Sequence, residues 1–231
     1  MSARHDVLCI GNAIVDILAT AEDDFLIAQK LVKGSMRLID EAEAERLYGL
    51  LGTTEEISGG SAGNTAAGVA SFGARAAYFG KVRDDHLGAR FGHDIRAMGV
   101  HFETKPAQDG PTTARCMILV TPDAERTMNT YLGACLGLGP KDMDPATIEG
   151  SAITYMEGYL WDPPAAKAAF REAAAIAHAA GRKVALTLSD SFCVDRWRAE
   201  FLELMRTKTV DIVFANTSEV KSLYQTADFA T

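Results

Sequence analysis

Four cysteines are all that this 231-residue chain contains, and none stands near another. Cys9, Cys116, Cys135 and Cys193 offer no Cys-x-x-Cys and no Cys/His ligand spacing. That argues against a disulfide framework or a zinc site, so the four read as reduced, buried small hydrophobes. The five histidines form no metal pair either. Basic residues are in deficit: 23 Lys and Arg face 31 Asp and Glu, for a formal net charge of −8. A nucleic-acid partner, which calls for a basic face, is argued against; a phosphorylated ligand held by a few local donors is not. No apolar run approaches the length of a membrane span. The charged start, Met1 to Asp6, does not read as a secretory signal, and the expected location is cytoplasmic. With 48% hydrophobic and 23% charged residues, the composition is that of a soluble globular protein, long enough for one large core or one core plus a small appendage.

Two nucleotide motifs are missing as well. The run Gly59-Gly60-Ser61-Ala62-Gly63-Asn64 is not followed by Gly-Lys-Ser/Thr, so it is no Walker A loop, and it lacks the Gly-x-Gly-x-x-Gly spacing of a dinucleotide fingerprint. What it does offer is a glycine pair that brings bare amides close to a ligand. Asn64 adds a side-chain donor and acceptor. The small residues that follow, Ala66, Ala67, Gly68, Ala70 and Ser71, suit a helix packed close to its neighbours. The segment reads as a tight turn feeding a helix and presenting polar groups to a hydroxyl-rich ligand. A Gly/Ala-rich helix start also serves packing alone, and these residues by themselves leave both readings open.

Short apolar runs alternate with helical patterns, the signature of a parallel sheet with crossover helices. Candidate core strands are Val7–Ile10, Ala76–Phe79, Ile153–Met156, Lys183–Leu188 and Asp211–Phe214. Candidate helices are Thr65–Phe72, Gly88–Met98, Ala165–Ala180 (stopped by Gly181) and Arg196–Met205. Ile14–Thr20, Ser35–Ile39, Phe102–Lys105, Thr113–Thr121 and Arg126–Leu132 break the alternation and read as a second, smaller sheet. The fold class is α/β with a small β-sheet lid. Residues 1–231 are expected to form one domain, with lid strands inserted at about 14–20, 35–39 and 102–132.

Directly after the first strand comes Gly11-Asn12-Ala13-Ile14-Val15-Asp16. Ligands of α/β sheets bind beyond the carboxyl ends of strands, so Asn12 and Asp16 stand where a ligand belongs. An Asp there can accept two hydrogen bonds from vicinal hydroxyls, the usual grip on a ribose or hexose; a loop cap is the alternative. The first strand, this Asp, the Gly-Gly-Ser-x-x-Asn run and then Phe79-Gly80-Lys81-Val82 with Asp84 resemble the PfkB carbohydrate-kinase family, of ribokinase-like fold. The resemblance covers essentially the whole chain. Pro111-Thr112-Thr113-Ala114 and Asp123-Ala124-Glu125-Arg126-Thr127 resemble that family's lid strands and substrate-facing hairpin.

The resemblance implies an ATP-dependent kinase acting on a hydroxymethyl group, with Mg²⁺. It places Asn12, Asp16, Gly59, Gly60, Asn64, Cys116 and Leu132 around the sugar or base, and Arg126 near the transferred phosphate. Asn216-Thr217-Ser218-Glu219 is similar to the family's Asn-x-x-Glu motif, in which Asn216 and Glu219 would organise Mg²⁺ through water together with the ATP phosphates; a plain helix start is the alternative. Thr187-Leu188-Ser189-Asp190-Ser191-Phe192, the opening Gly-Asn-x-x-x-Asp and the segment Asp24–Asp40 resemble the adenosine kinase branch. Thr187 departs from the Asn of that branch, and Asp123–Arg126 is equally common among sugar kinases. A nucleoside such as adenosine is therefore the expected acceptor, with a sugar or a non-catalytic nucleoside- or sugar-binding role as the alternatives. A homodimer through the lid is a further expectation of the resemblance.

The Gly-Ala-Gly-Asp segment that carries the family's anion hole and catalytic base does not occur in these residues. The resemblance therefore implies a chain that carries the acceptor site without the base, as in a truncated or partial kinase, and with little or no turnover.

Overall fold

The computed structural model describes residues 3–228. The first strand, β1 (His5–Ile10), leads through a short loop into β2 (Ile14–Thr20), α1 (Asp23–Ala28), β3 (Met36–Leu38), α2 (Glu41–Tyr48) and β4 (Glu55–Gly59). Then come α3 (Ser61–Ser71), β5 (Ala76–Phe79), α4 (His86–Ala97), β6 (Ala114–Val120) and β7 (Arg126–Tyr131). The remainder alternates: α5 (Pro145–Glu149), β8 (Ser151–Glu157), α6 (Pro164–Ala179), β9 (Lys183–Thr187), α7 (Ser191–Arg206), β10 (Ile212–Phe214) and α8 (Thr217–Tyr224).

These strands form two five-stranded sheets. The main sheet, in the order β10-β9-β8-β1-β5, is parallel throughout. The small sheet runs β3-β7-β6-β2-β4 and is mixed, with β2–β4 and β6–β7 antiparallel. The α/β class with a small second sheet thus holds.

Side-chain alternation along β1 and β5 divides the core. Leu8, Ile10, Ala77 and Phe79 face one hydrophobic cluster, and Cys9, Ala76 and Tyr78 face another. On the first side, α6 buries Ala166, Ala169, Phe170, Ala173 and Ala177, a stripe at helical spacing. Trp161 stacks there on Phe170 and Phe201, with ring centroids 5.8 and 6.0 Å apart. On the second side, Phe91 of α4 and the inner face of the small sheet (Val15, Ile17, Met117, Leu119) cover Tyr78. Each such large apolar side chain contributes about 1.5–3 kcal/mol by leaving water. The four cysteines are free and buried.

The local departures from the sequence reading have local causes. Phe102–Lys105 is not a strand: only its flanks bridge, His101 to Ala77 and Ala107 to Arg83, while Phe102 is spent on the aromatic cluster with Tyr78 and Phe91. The lid strands therefore start at Ala114 rather than near 102. Helix α3 begins at Ser61, four residues earlier than its glycines suggest, because tertiary packing of Ala62, Gly63 and Ala66 overrides their weak propensity. Helix α7 begins at Ser191 because Asp190 caps it, accepting from the Cys193 amide at 2.6 Å. Strand β4, with two glutamates at its start, gave no apolar run to read.

Candidate functional site

The order of the main sheet fixes where a ligand can enter. The chain leaves β1 toward β5 on one side, then returns to the other side of β1 as β8 and continues outward to β9. Neighbouring strands β1 and β8 thus send their connections in opposite directions, which opens a crevice beyond their carboxyl ends. Asn12 hangs from the end of β1 and Glu157 closes β8. The Asn12 Nδ2 donates to Glu157 Oε1 at 2.8 Å, and the Ala62 amide donates to Glu157 Oε2 at 2.8 Å. That amide belongs to the first turn of α3, where backbone N–H groups have no helical partner. Burial pushes the Glu157 carboxyl up to about 7, against the opposing pull of its Ala62 and Asn12 hydrogen bonds. Asn12 is itself buried, and its Oδ1 has no partner.

Glu157 did not emerge from the sequence. The available signal was a lone carboxylate closing an otherwise apolar strand, Ser151–Glu157, at a strand end where ligands bind.

The small sheet supplies a second wall. Its register sets Leu38, Thr130, Cys116, Asp16 and Ile57 in one row across all five strands, and hence on one face. The Asp16 carboxylate receives no hydrogen bond from any described residue. Burial raises it to about 6, and the positive charge of Arg126 works the other way. Cys116, whose thiol burial pushes up to about 11, accepts from the Thr130 hydroxyl at 3.2 Å.

Gly59 and Gly60 belong to this arrangement for a steric reason. A Cβ on Gly59 would fall on the Asp16 carboxylate, and one on Gly60 would fall on the Asn12 carbonyl oxygen. Gly60 also holds φ at +84°, in the left-handed region. The pair thus ends β4, starts α3 and lets the Asn12–Asp16 strand pass close by.

The structure therefore brings together Asn12, Asp16, Gly59, Gly60 and Cys116. Leu132 lies half-buried one residue beyond β7, its carbonyl accepting from the Cys135 thiol. Asn64 sits inside the first turn of α3 with its side chain exposed, rather than in a preceding turn. Arg126 opens β7, exposed, and reaches Asp16 only through its field.

Asn216 and Glu219 lie elsewhere, beyond β10. Asn216 accepts the Glu219 amide at 2.9 Å through Oδ1 and donates Nδ2 to Glu219 Oε1 at 2.7 Å. Glu219 Oε2 accepts the Asn216 amide at 3.1 Å. This is a reciprocal capping box on α8. Asn216 itself fills the N-cap position.

Among the described residues no cluster of His, Cys, Asp and Glu could hold a metal ion, and no helix is long and apolar enough to cross a membrane.

The description "pfkB family carbohydrate kinase" matches residues 4–231. This chain belongs to the PfkB family. Among solved structures, an adenosine kinase from Sinorhizobium meliloti is 64% identical at a TM-score of 0.91, covering 99% of this chain and 70% of that one. A probable sugar kinase from Rhizobium etli is 59% identical at 0.91, covering 99% and 69%. An adenosine kinase from Anopheles gambiae, solved with P1,P4-di(adenosine-5) tetraphosphate, shares the fold at 24% identity and a TM-score of 0.81, covering 96% and 72%. Comparison with curated proteins gives no match. As a PfkB-family member the chain is a kinase of the carbohydrate and nucleoside class, a class that uses ATP.

Proposed function

We propose that the crevice and the lid face together form the acceptor site of an ATP-dependent kinase for the hydroxymethyl group of a ribose-containing nucleoside such as adenosine. The observation that carries this reading is the Asp16 carboxylate, set among Cys116, Ile57 and Thr130 with no donor of its own. A carboxylate in that position is satisfied by two vicinal hydroxyls, and it gains most in such partly dry surroundings. Asn12, held by Glu157, offers an Oδ1 that has no partner among the described residues. Gly59 and Gly60 border the ligand by letting Asp16 and Asn12 approach this closely. Cys116, Leu132 and the apolar lid row form the cover for a base, and Asn64 borders the opening. Arg126 is placed to meet negative charge arriving at the acceptor. The 64% identity to the S. meliloti adenosine kinase supports the same choice of acceptor.

ATP would supply the phosphoryl group, transferred by positioning and electrostatic stabilisation. For Mg²⁺ the residues fit poorly. Both carboxylate oxygens of Glu219 are spent in the capping box and the residue is buried. Direct coordination would break the helix start. What this chain's residues do is bind and orient the acceptor: Asp16 fixes the ribose hydroxyls, and the Asn12–Glu157 pair fixes the floor beneath them.

A sugar acceptor is the second reading, favoured by the 59% identity to the R. etli probable sugar kinase. Calorimetric titration with adenosine, ribose and fructose separates the two. Tighter binding of adenosine supports the nucleoside, because only a base can use the apolar cover; equal or reversed affinities support the sugar.

A further inference from the structure

Beside the edge strand β5 lies a second concavity, of about 500 Å³, that shares no residue with the crevice or the lid row. That volume is in the range of small-molecule sites. Phe79 and Met143 give it an apolar wall. An ion pair between Lys81 and Asp142, at 2.6 Å, lines it with side chains only 8% and 5% exposed.

The polar groups around it are unequally used. Asp142 accepts from Lys81 through Oδ1 and from the Gly139 amide through Oδ2. Asp144 accepts both the amide and the hydroxyl of Thr147. Asp142 is thus engaged by the fold at both oxygens, and Asp144 twice at Oδ2. The third, Glu103, points outward, 3.9 Å from His101.

The donors are in the opposite condition. Lys81 spends two of its three N–H groups, on Asp142 and on the Lys105 carbonyl. The ammonium groups of Lys105 and Lys141 have no hydrogen-bond or ion-pair partner among the described residues. Thr104 lines the cavity at 7% exposure, and its buried hydroxyl has no partner. A buried hydroxyl left unpaired is costly. An oxyanion is the class of ligand that such donors serve.

We propose that this cavity binds a small phosphate-bearing organic molecule. Its phosphoryl oxygens meet the Thr104 hydroxyl and the Lys81, Lys105 and Lys141 ammonium groups, and its carbon skeleton lies against Phe79 and Met143. Inorganic phosphate would fill only part of the space and leave the apolar wall bare.

The test is calorimetric titration of the 231-residue chain with glycerol 3-phosphate and with inorganic phosphate, at ionic strength matched with sodium chloride. A background of Asp16→Asn with Arg126→Gln removes both the hydroxyl-binding carboxylate and the cationic group of the acceptor site. Glycerol 3-phosphate is expected to bind one to one and more tightly than inorganic phosphate. Thr104→Val, which keeps side-chain shape, and the surface double variant Lys105→Gln/Lys141→Gln should each weaken it by about tenfold or more. If Thr104→Val fails to fold by circular dichroism, the double variant decides. Absence of binding, equal affinity for the two probes, or unchanged affinity in the folded variants would overturn the proposal.

Discussion

Asn12 and Glu157, 145 positions apart, are joined by a 2.8 Å hydrogen bond that ties the exit of β1 to the end of β8 at the floor of the crevice. The burial of Glu157 has a thermodynamic signature. Glu157 titrates near 7 in the folded protein because burial disfavours its charge, so the folded state holds its proton more tightly than the unfolded chain does. Its contribution to stability is therefore fully present below about pH 4.5 and lost as pH rises through about 7, on the order of 3 kcal/mol. Asp16, raised to about 6, acts in the same direction over a lower window. Asp6, Glu43 and Asp123, all held near 2 by their basic partners, act oppositely, but their effect is complete by about pH 5. Urea unfolding at intervals from pH 5 to 7.5 should show stability declining, with a flatter decline in Glu157→Gln. The same slope in both proteins would show that Glu157 does not carry it.

Gly59→Ala and Gly60→Ala should fail in different ways. The new methyl at 59 displaces the Asp16 carboxylate, so acceptor affinity should fall at least tenfold while the fold persists. At 60 the methyl meets backbone at a positive φ, and stability should drop by about 1–3 kcal/mol. Chemical unfolding and ligand titration on both variants give the two readouts. Identical behaviour of the pair would remove the specific link between Gly59 and Asp16.

The Asn216–Glu219 box predicts a purely structural loss. Asn216→Ala should cost about 1 kcal/mol of stability through the lost cap, and Glu219→Gln a comparable or smaller amount, with acceptor affinity unchanged in each. Thermal unfolding with parallel titration measures this. Loss of acceptor affinity without loss of stability would place the motif at the ligand instead.

The main sheet could be read from the sequence because its strands are short apolar runs, as in Ala76–Phe79, buried on both faces, and Ile153–Met156. Strand β2 was equally plain, since Val15, Ile17 and Ala19 alternate with less buried neighbours. Strand β4 was hidden because an edge strand with only one apolar residue at its centre, Ile57, has no periodicity to detect. The site divided along similar lines. Asp16 and the glycine pair were visible because their residue types carry a local mechanism. Glu157 was not, since its significance comes from a strand order that places it beside a loop 145 residues earlier. The capping box of Asn216 and Glu219 shows the reverse: a motif at helix-start spacing whose hydrogen bonds are all accounted for within its own turn.

The central claim is that Asp16 binds the hydroxyls of a nucleoside acceptor, and calorimetric titration of adenosine into the wild-type chain and Asp16→Asn tests it most directly. Replacing the carboxylate by an amide removes charge-assisted bonds worth roughly 1.5–3 kcal/mol each. It also relieves a buried charge, so the variant should be at least as stable as the wild type at neutral pH. One-to-one binding of adenosine to the wild type is expected, with a loss of at least tenfold in a fully folded Asp16→Asn. Equal affinity for adenosine in the two proteins would contradict it and return Asp16 to a structural role in the lid.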